Sequence, residues 1–235
     1  MTDTTAYESS WEWTVEKSKY HFDNTVRDQP GEWFTQLGQM HGDWSDELSV
    51  YMDKAKPITW ETRKESPYYK REDGSYETSN MVEQENNDLE IAGFGKDLEL
   101  TDVIEREDLS DTFIKMYEYW GIDNPWVRLH LQRPGQMFNL HIDKLYDRYP
   151  EDPSQIVRIV VNLTDWQPGQ FYSYGTHNMS HWSAGDVHLF DWQNIPHATA
   201  NCSREVRPTM MITGVKTERT QTLLDLATPY ARYVI

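Results

Sequence analysis

The sequence predicts a mainly β fold with flanking helices, organised as an antiparallel sandwich or small barrel. After Pro125, apolar and polar residues alternate with a period of two, which is typical of strands with one buried and one polar face. Turn signals separate about seven such segments at intervals of roughly 8–12 residues, a spacing typical of all-β domains. The chain has 235 residues, 37% of them hydrophobic, which suffices for one domain with its own core.

Individual elements follow from the same patterns. The predicted strands are WVRLHLQ (126–132), MFNLHID (137–143), IVRIVVNL (156–163), VHLFDW (187–192), HATAN (197–201) and RPTMMITGV (207–215). Residues 171–182 fit a strand or a loop. Apolar residues at helical spacing predict helices over 30–40, 45–55 and 110–121, and a further one around Leu223–Ala227.

We expect one domain over residues 1–235, built in three parts. Residues 1–124 are predicted to form a helical and irregular support. Its polar stretch 61–90 is long enough to act as a lid. Residues 125–215 are predicted to form the β core, and 216–235 a C-terminal extension.

Charge and composition narrow the range of partners and compartments. The net charge of −17 repels phosphate backbones, which argues against nucleic-acid binding. No apolar run is long enough for a membrane helix, the N-terminus has no signal-like pattern, and the single Cys202 allows no internal disulfide. We therefore expect a cytoplasmic protein without membrane or nucleic-acid partners. Residues 83–111 hold 11 acids and 2 bases, either as a solvated surface or as a docking face.

A metal site is indicated by His141 and Asp143, which lie two residues apart on a predicted strand. Side chains at this spacing leave the same face, so both can reach one ion. A third ligand must come from another strand, and His197, 54 residues after Asp143, begins one. Two imidazoles and one carboxylate form the facial triad of non-haem Fe(II) oxygenases, although Zn²⁺ or Mn²⁺ can use the same set. The alternative is an ordinary polar face.

A second charged group, Arg207, begins the strand that follows His197. The short link 202–206 predicts that this strand returns antiparallel beside 197–201, which puts Arg207 about 13 Å from the metal along the strand. A five-carbon dicarboxylate can bridge that span, because a guanidinium binds carboxylate in a bidentate way. Arg204, in the turn, is the competing candidate, and a surface ion pair is the structural alternative for Arg207.

Three segments together resemble a known family. HID (141–143), GDVHLFDWQNIPHATAN (185–201) and RP (207–208), in this order and spacing, resemble the Fe(II)/2-oxoglutarate-dependent oxygenases. The resemblance covers roughly residues 125–215 and is greatest to the aspartyl/asparaginyl β-hydroxylase branch. Many members of that branch have Gly where this chain has Asp143, so this chain has the fuller triad, which argues against a halogenase.

The resemblance implies a fold, cofactors and an activity. It implies a double-stranded β-helix, a jelly-roll or cupin-like barrel, with Fe(II) bound by His141, Asp143 and His197 and the co-substrate 2-oxoglutarate held by Arg207. It also implies a basic residue for the second carboxylate, for which Arg158 is the candidate; a solvent-end arginine is the alternative there. The expected reaction hydroxylates a C–H bond of an amino acid or a peptidyl side chain and releases succinate and CO₂.

A different class of function fits the same barrel. A cupin-like module could bind a metal or small ligand without turnover and use the acidic face 83–111 to bind a partner. The pattern leaves the substrate and the oligomeric state open.

Overall fold

The computed structural model describes residues 34–59, 98–141, 143, 153–175, 177–192, 195 and 197–235. Its strands, in chain order, are β1 Phe34–His41, β2 Lys56–Thr59, β3 Glu99–Glu105, β4 Asp123–Gln132, β5 Met137–His141, β6 Ile156–Asn162, β7 Gln170–Tyr174, β8 His177–Met179, β9 Asp186–Phe190, β10 His197–Asn201, β11 Arg207–Val215 and β12 Arg232–Val234. Its α-helices are α1 Ser45–Lys54, α2 Asp111–Glu118 and α3 Glu218–Leu226, and short 3₁₀ turns lie at Arg106–Asp108 and Pro153–Gln155.

The strands form two sheets that face each other. The larger has the order β12-β1-β9-β6-β11-β4-β3-β2 and the smaller the order β5-β10-β7-β8. From β4 to β11 the chain passes repeatedly from one sheet to the other, which is the topology of a jelly roll or double-stranded β-helix. The predicted fold class is therefore confirmed: the protein is mainly β, with helices on its flanks.

Alternation along β4, β6 and β11 gives the large sheet two different faces. The outer face is apolar and packs against α1 and α2 in one core, which includes Leu129, Ile159, Ile212, Leu48 and Phe113. The inner face points at the small sheet and carries the polar members of the same strands. A second, aromatic-rich cluster lies between the sheets, around Tyr172, Tyr174, Phe190 and Trp192.

The helix expected over residues 30–40 is wrong for the described part, because residues 34–41 form the strand β1. Its pairing with β9 shifts between Gln36 and Gly38, which is the mark of a β-bulge. The extra residue leaves Leu37 and Met40 buried in the same core at a spacing of three. Gly38 has φ of 135°, and a Cβ there would meet the Ala231 carbonyl oxygen at 2.7 Å. The bulge therefore gives the buried residues of a strand the three-residue spacing that is typical of a helix.

The other assignments mostly agree with the structure. Helices occur at the three predicted segments 45–55, 110–121 and 223–227. The undecided segment 171–182 overlaps the two short strands β7 and β8. The candidate lid 61–90, and residues 83–97 of the acidic stretch, lie outside the described residues. In the part of the chain that is described, no helix is both long and apolar enough to cross a membrane.

Candidate metal and anion site

Asp143 and His197 come together at one end of the space between the sheets. The Nε2 atom of His197 lies 3.3 Å from Oδ2 of Asp143. Both side chains are largely buried, at 8% and 13% exposure. Adjacent ligands of one metal ion, each about 2.1 Å from it, are about 3 Å apart, so this separation suits two ligands of one ion.

The hydrogen bond on the far side of the His197 ring also suits a metal ligand. Its Nδ1 atom lies 3.1 Å from the carbonyl oxygen of Ile195, so Nδ1–H donates to that oxygen. In the neutral imidazole, a proton on Nδ1 leaves a lone pair on Nε2, which faces a carboxylate oxygen. Either a proton on Nε2 or a metal ion bound by both atoms satisfies this contact, and metal-binding histidines commonly have this arrangement of a carbonyl behind the ring.

His141, the third predicted ligand, is placed by its backbone. Strands β5 and β10 are antiparallel, and the Cα atom of His141 pairs with that of His197. The two histidines therefore lie at the same level on neighbouring strands, and His141 precedes Asp143 by two residues. The imidazole of His141 lies outside the described side chains. Among the side chains that are described, no cluster of three histidine, cysteine or carboxylate groups occurs.

Arg158 is buried rather than at a solvent end, so the surface alternative for it is wrong. One of its terminal nitrogens donates to Oδ2 of Asp143, and its Nε donates to Oγ1 of Thr213 at 3.0 Å. Thr213 is the Cα partner of Arg158 across the β6–β11 pair. Arg158 thus holds the predicted ligand Asp143. Its expected contact with the co-substrate stays a prediction.

Arg207 is buried at 5% exposure, so it forms no surface ion pair, whereas its competitor Arg204 is exposed. Its guanidinium lies 4.3 Å from the centre of the Tyr172 ring, and one terminal nitrogen donates to the Phe171 carbonyl oxygen at 2.8 Å. Its buried Nε has no hydrogen-bond partner among the residues that the structure describes. No carboxylate among the described residues pairs with Arg207. A buried cation without an anion is costly, so this place suits an anionic ligand.

The neighbourhood of Arg207 is dry and positively charged. Burial lowers the pKa of His188 to about 3, and the charge of Arg207 acts in the same direction. Burial likewise lowers the pKa of His130 to about 3, with further lowering by Arg128, Arg158 and Arg207. Both imidazoles are therefore neutral near pH 7. Burial also lowers the pKa of Arg207 itself, but an arginine stays protonated.

The expected pairing of residues 197–201 with the strand from Arg207 is wrong. Strand β10 pairs with β5 and β7, while β11 pairs with β4 and β6 in the other sheet. The link 202–206 therefore crosses between the sheets instead of making a hairpin. Arg207 nevertheless reaches the same interior, because it contacts Phe171 and Tyr172 on β7.

The span from His197 to Arg207 can be measured along β7. His197 pairs with Tyr174, while Arg207 contacts residues 171 and 172, two to three positions away. At about 3.3 Å per residue this corresponds to roughly 7–10 Å. An extended five-carbon dicarboxylate, with a metal at one end and a guanidinium at the other, fits such a distance.

Sequence reasoning missed Tyr172, which lies against the Arg207 guanidinium, and Asn162, which accepts a hydrogen bond from the Tyr172 hydroxyl. Tyr172 belonged to the segment left undecided between strand and loop. Alternation of Gln170, Tyr172 and Tyr174, all buried, was the available signal. Asn162 lies on the same face of β6 as Arg158, and nothing in its spacing indicates a hydrogen bond to another strand.

Comparisons with known proteins find similarity to solved structures at low sequence identity. No family model and no curated protein matches the chain. Similar solved structures include a Pseudomonas putida prolyl-4-hydroxylase, with 15% identity, coverage of 82% of this chain and 97% of that one, and a TM-score of 0.42. The non-heme alpha ketoglutarate dependent epimerase SnoN from nogalamycin biosynthesis has 11% identity, coverage of 88% and 82%, and a TM-score of 0.49. A Salinispora arenicola cupin 2 barrel protein has 10% identity, coverage of 54% and 84%, and a TM-score of 0.32.

Proposed function

We propose that the protein is an Fe(II)- and 2-oxoglutarate-dependent dioxygenase. Its substrate is a small molecule or a peptide, and the reaction hydroxylates a C–H bond of an amino acid or of a peptidyl side chain. The observation that carries the proposal is the contact of 3.3 Å between His197 Nε2 and Asp143 Oδ2, with Nδ1 of His197 already bonded. The buried Arg207 at the other end of the same interior supports it.

His197 and Asp143, with His141, are the residues that would hold the iron. Arg158 keeps the carboxylate of Asp143 in place, and the Ile195 carbonyl oxygen keeps the imidazole of His197 in the tautomer that a metal needs. Iron and 2-oxoglutarate, when bound, supply the oxidation of the substrate by O₂, with succinate and CO₂ as co-products. The protein supplies orientation and charge.

Arg207 is the residue that would bind the distal carboxylate of 2-oxoglutarate. Its buried positive charge favours an anion, and because the nearby His130 and His188 are neutral near pH 7, neither adds a charge of its own to that attraction. The apolar and aromatic cluster between the sheets excludes water from the same space. Exclusion of water strengthens each charge interaction with the bound ligand.

The first test is spectroscopic. Anaerobic protein should develop the visible charge-transfer band of an iron-bound keto acid when Fe(II) and 2-oxoglutarate are added together. His197→Ala and His141→Ala should each lose the band while remaining folded by circular dichroism. A folded parent protein that develops no band, or a band that survives both substitutions, contradicts the proposal.

The second test addresses the substrate. Succinate release should be measured against panels of free amino acids and peptides, with mass spectrometry for a product heavier by one oxygen atom. Turnover of free amino acids but not peptides, or the reverse, decides between the two substrate classes. A module without catalytic function would release no succinate beyond the rate of free Fe(II), and its melting temperature would not respond to 2-oxoglutarate.

A further inference from the structure

Within the described part of the chain, two buried nitrogen donors near Tyr172 have no hydrogen-bond partner. They are Nε of Arg207 and Nδ2 of Asn162, on side chains with exposures of 5% and 1%. Buried donors are almost always paired, because an unpaired one keeps the full cost of its desolvation. A ligand that accepts hydrogen bonds from both would remove that cost.

The sheet register places these donors as diagonal neighbours. Asn162 on β6 is the Cα partner of Thr209 on β11, and Arg207 precedes Thr209 by two residues on the same inner face. Diagonal neighbours on one face lie about 7–8 Å apart, which is within reach of one group held between two long side chains. A single carboxylate can therefore accept from both.

Tyr172 fixes the orientation of both donors. Its ring lies under the Arg207 guanidinium, at 4.3 Å from the guanidinium carbon. Its hydroxyl donates to Oδ1 of Asn162 at 2.9 Å, and the Thr209 hydroxyl, 3.0 Å away, donates to it in turn. Because Oδ1 of Asn162 accepts the hydrogen bond from the Tyr172 hydroxyl, the Nδ2 atom of the same carboxamide points away from Tyr172.

We propose that Asn162 is a second donor to the distal carboxylate of the co-substrate and that Tyr172 is the positioning residue for Asn162 and Arg207. This inference rests on the proposed function, because it deepens the description of the same anion site. The Thr209 hydroxyl already donates its hydrogen bond to Tyr172. The ligand therefore receives its hydrogen bonds from Arg207 and Asn162.

The test measures binding by anaerobic calorimetry with 2-oxoglutarate and with glutarate, on the Fe(II)-loaded protein. Asn162→Asp is nearly isosteric and keeps the acceptor for Tyr172, but it replaces the open donor by a carboxylate oxygen. We expect affinity for both dicarboxylates to fall by about 10- to 100-fold, the effect of losing a hydrogen bond to a charged group.

Two substitutions of Tyr172 separate its ring from its hydroxyl. Tyr172→Leu removes the support of the guanidinium and should weaken binding about tenfold, in line with a desolvated cation–π contact. Tyr172→Phe keeps the ring and should recover most of that loss. Tyr233→Leu is the matched control: it removes another buried tyrosine, whose hydroxyl donates to the Leu37 carbonyl oxygen at 2.6 Å in the outer core. It should lower stability and leave affinity within about twofold.

The outcomes distinguish the two levels of the hypothesis. If the parent protein binds neither dicarboxylate, the proposed function falls, and this inference with it. If the parent binds and Asn162→Asp binds equally well, only the inference is overturned. Should Tyr172→Leu fail to fold, Tyr172→Met replaces it, and equal affinity for Met, Phe and Tyr at this position would overturn the positioning role.

Discussion

The two faces of the large sheet differ although they are built from the same strands. On β6, Val157, Ile159 and Val161 point to the outer core, while Arg158 and Asn162 point inward. The outer side chains pack against helices and need no partner outside the chain. The inner face of the sheet also carries Arg207, on β11, which pairs with no carboxylate among the described residues, and its Nε and the Nδ2 of Asn162 are open donors there. The difference indicates that the outer face stabilises the fold and that the inner face is arranged for a ligand.

The largest expected effect concerns the outer face. Ile159 is fully buried in the outer core, so Ile159→Ala should lower the free energy of unfolding by about 3 kcal/mol, as for other large-to-small core substitutions. Urea unfolding checks this value. Affinity for 2-oxoglutarate in the folded protein should stay within about twofold. A large loss of affinity would show that the two faces are not separable.

The reverse experiment replaces a charge on the inner face. Arg207→Met should weaken 2-oxoglutarate binding about 100-fold, or about 2.7 kcal/mol, because a charge-assisted carboxylate contact is lost. Its free energy of unfolding should be unchanged or higher, since removal of an unpaired buried charge relieves a desolvation cost. Calorimetry and urea unfolding measure the two quantities. Arg204→Met, at an exposed position in the same link, is the control and should change neither.

Acid should destabilise the inner face through its neutral histidines. The pKa of buried His188 is lowered to about 3, whereas an unfolded histidine titrates near 6.5, so below about pH 6.5 the unfolded state binds the extra proton. Stability should therefore fall between about pH 6.5 and 3, with about 1.4 kcal/mol per pH unit from this residue. His188→Gln should reduce the slope of unfolding free energy against pH by that amount. An unchanged slope would mean that His188 is protonated in the folded protein.

The smallest effect lies far from both faces, at the start of α3. Thr217 accepts from the Thr220 amide at 3.1 Å, and the Thr217 amide donates to the Thr220 hydroxyl at 3.2 Å, a reciprocal capping box. Thr217→Ala should cost about 1 kcal/mol of stability. Its hydroxyl also donates to the Gly121 carbonyl oxygen, so the loss includes that contact. Thr222→Ala on the exposed side of the same helix is the control for propensity, and binding should not change in either variant.

Much of the β core could be predicted because alternation reports burial directly. Strands β4, β6, β9, β10 and β11 lie where period two placed them. Strand β1 was mistaken for a helix because the bulge at Gly38 changes the spacing of Leu37 and Met40. A local pattern cannot distinguish an inserted strand residue from a helical turn without the neighbouring strand.

The site was predictable in its residue types more than in its contacts. His197 and Asp143 do meet, as the spacing of a barrel suggested. The pairing of β10 with β11 failed because a short link can either make a hairpin or cross to the facing sheet, and only the full topology decides. The contact of Arg158 with Asp143, and that of Tyr172 with Asn162, join residues from different strands, so no single strand pattern contains them.

The proposed function requires that His197, Asp143 and His141 bind one metal ion while Arg207 binds the distal carboxylate of 2-oxoglutarate. Its most direct test is a crystal structure of the anaerobic Fe(II) complex with 2-oxoglutarate, with an anomalous difference map at the iron edge. We expect one anomalous peak, for an iron ion bound by His197 Nε2 and Asp143, and we expect the distal carboxylate of 2-oxoglutarate to contact Arg207. A peak away from these residues, or a ligand that does not contact Arg207, would contradict it.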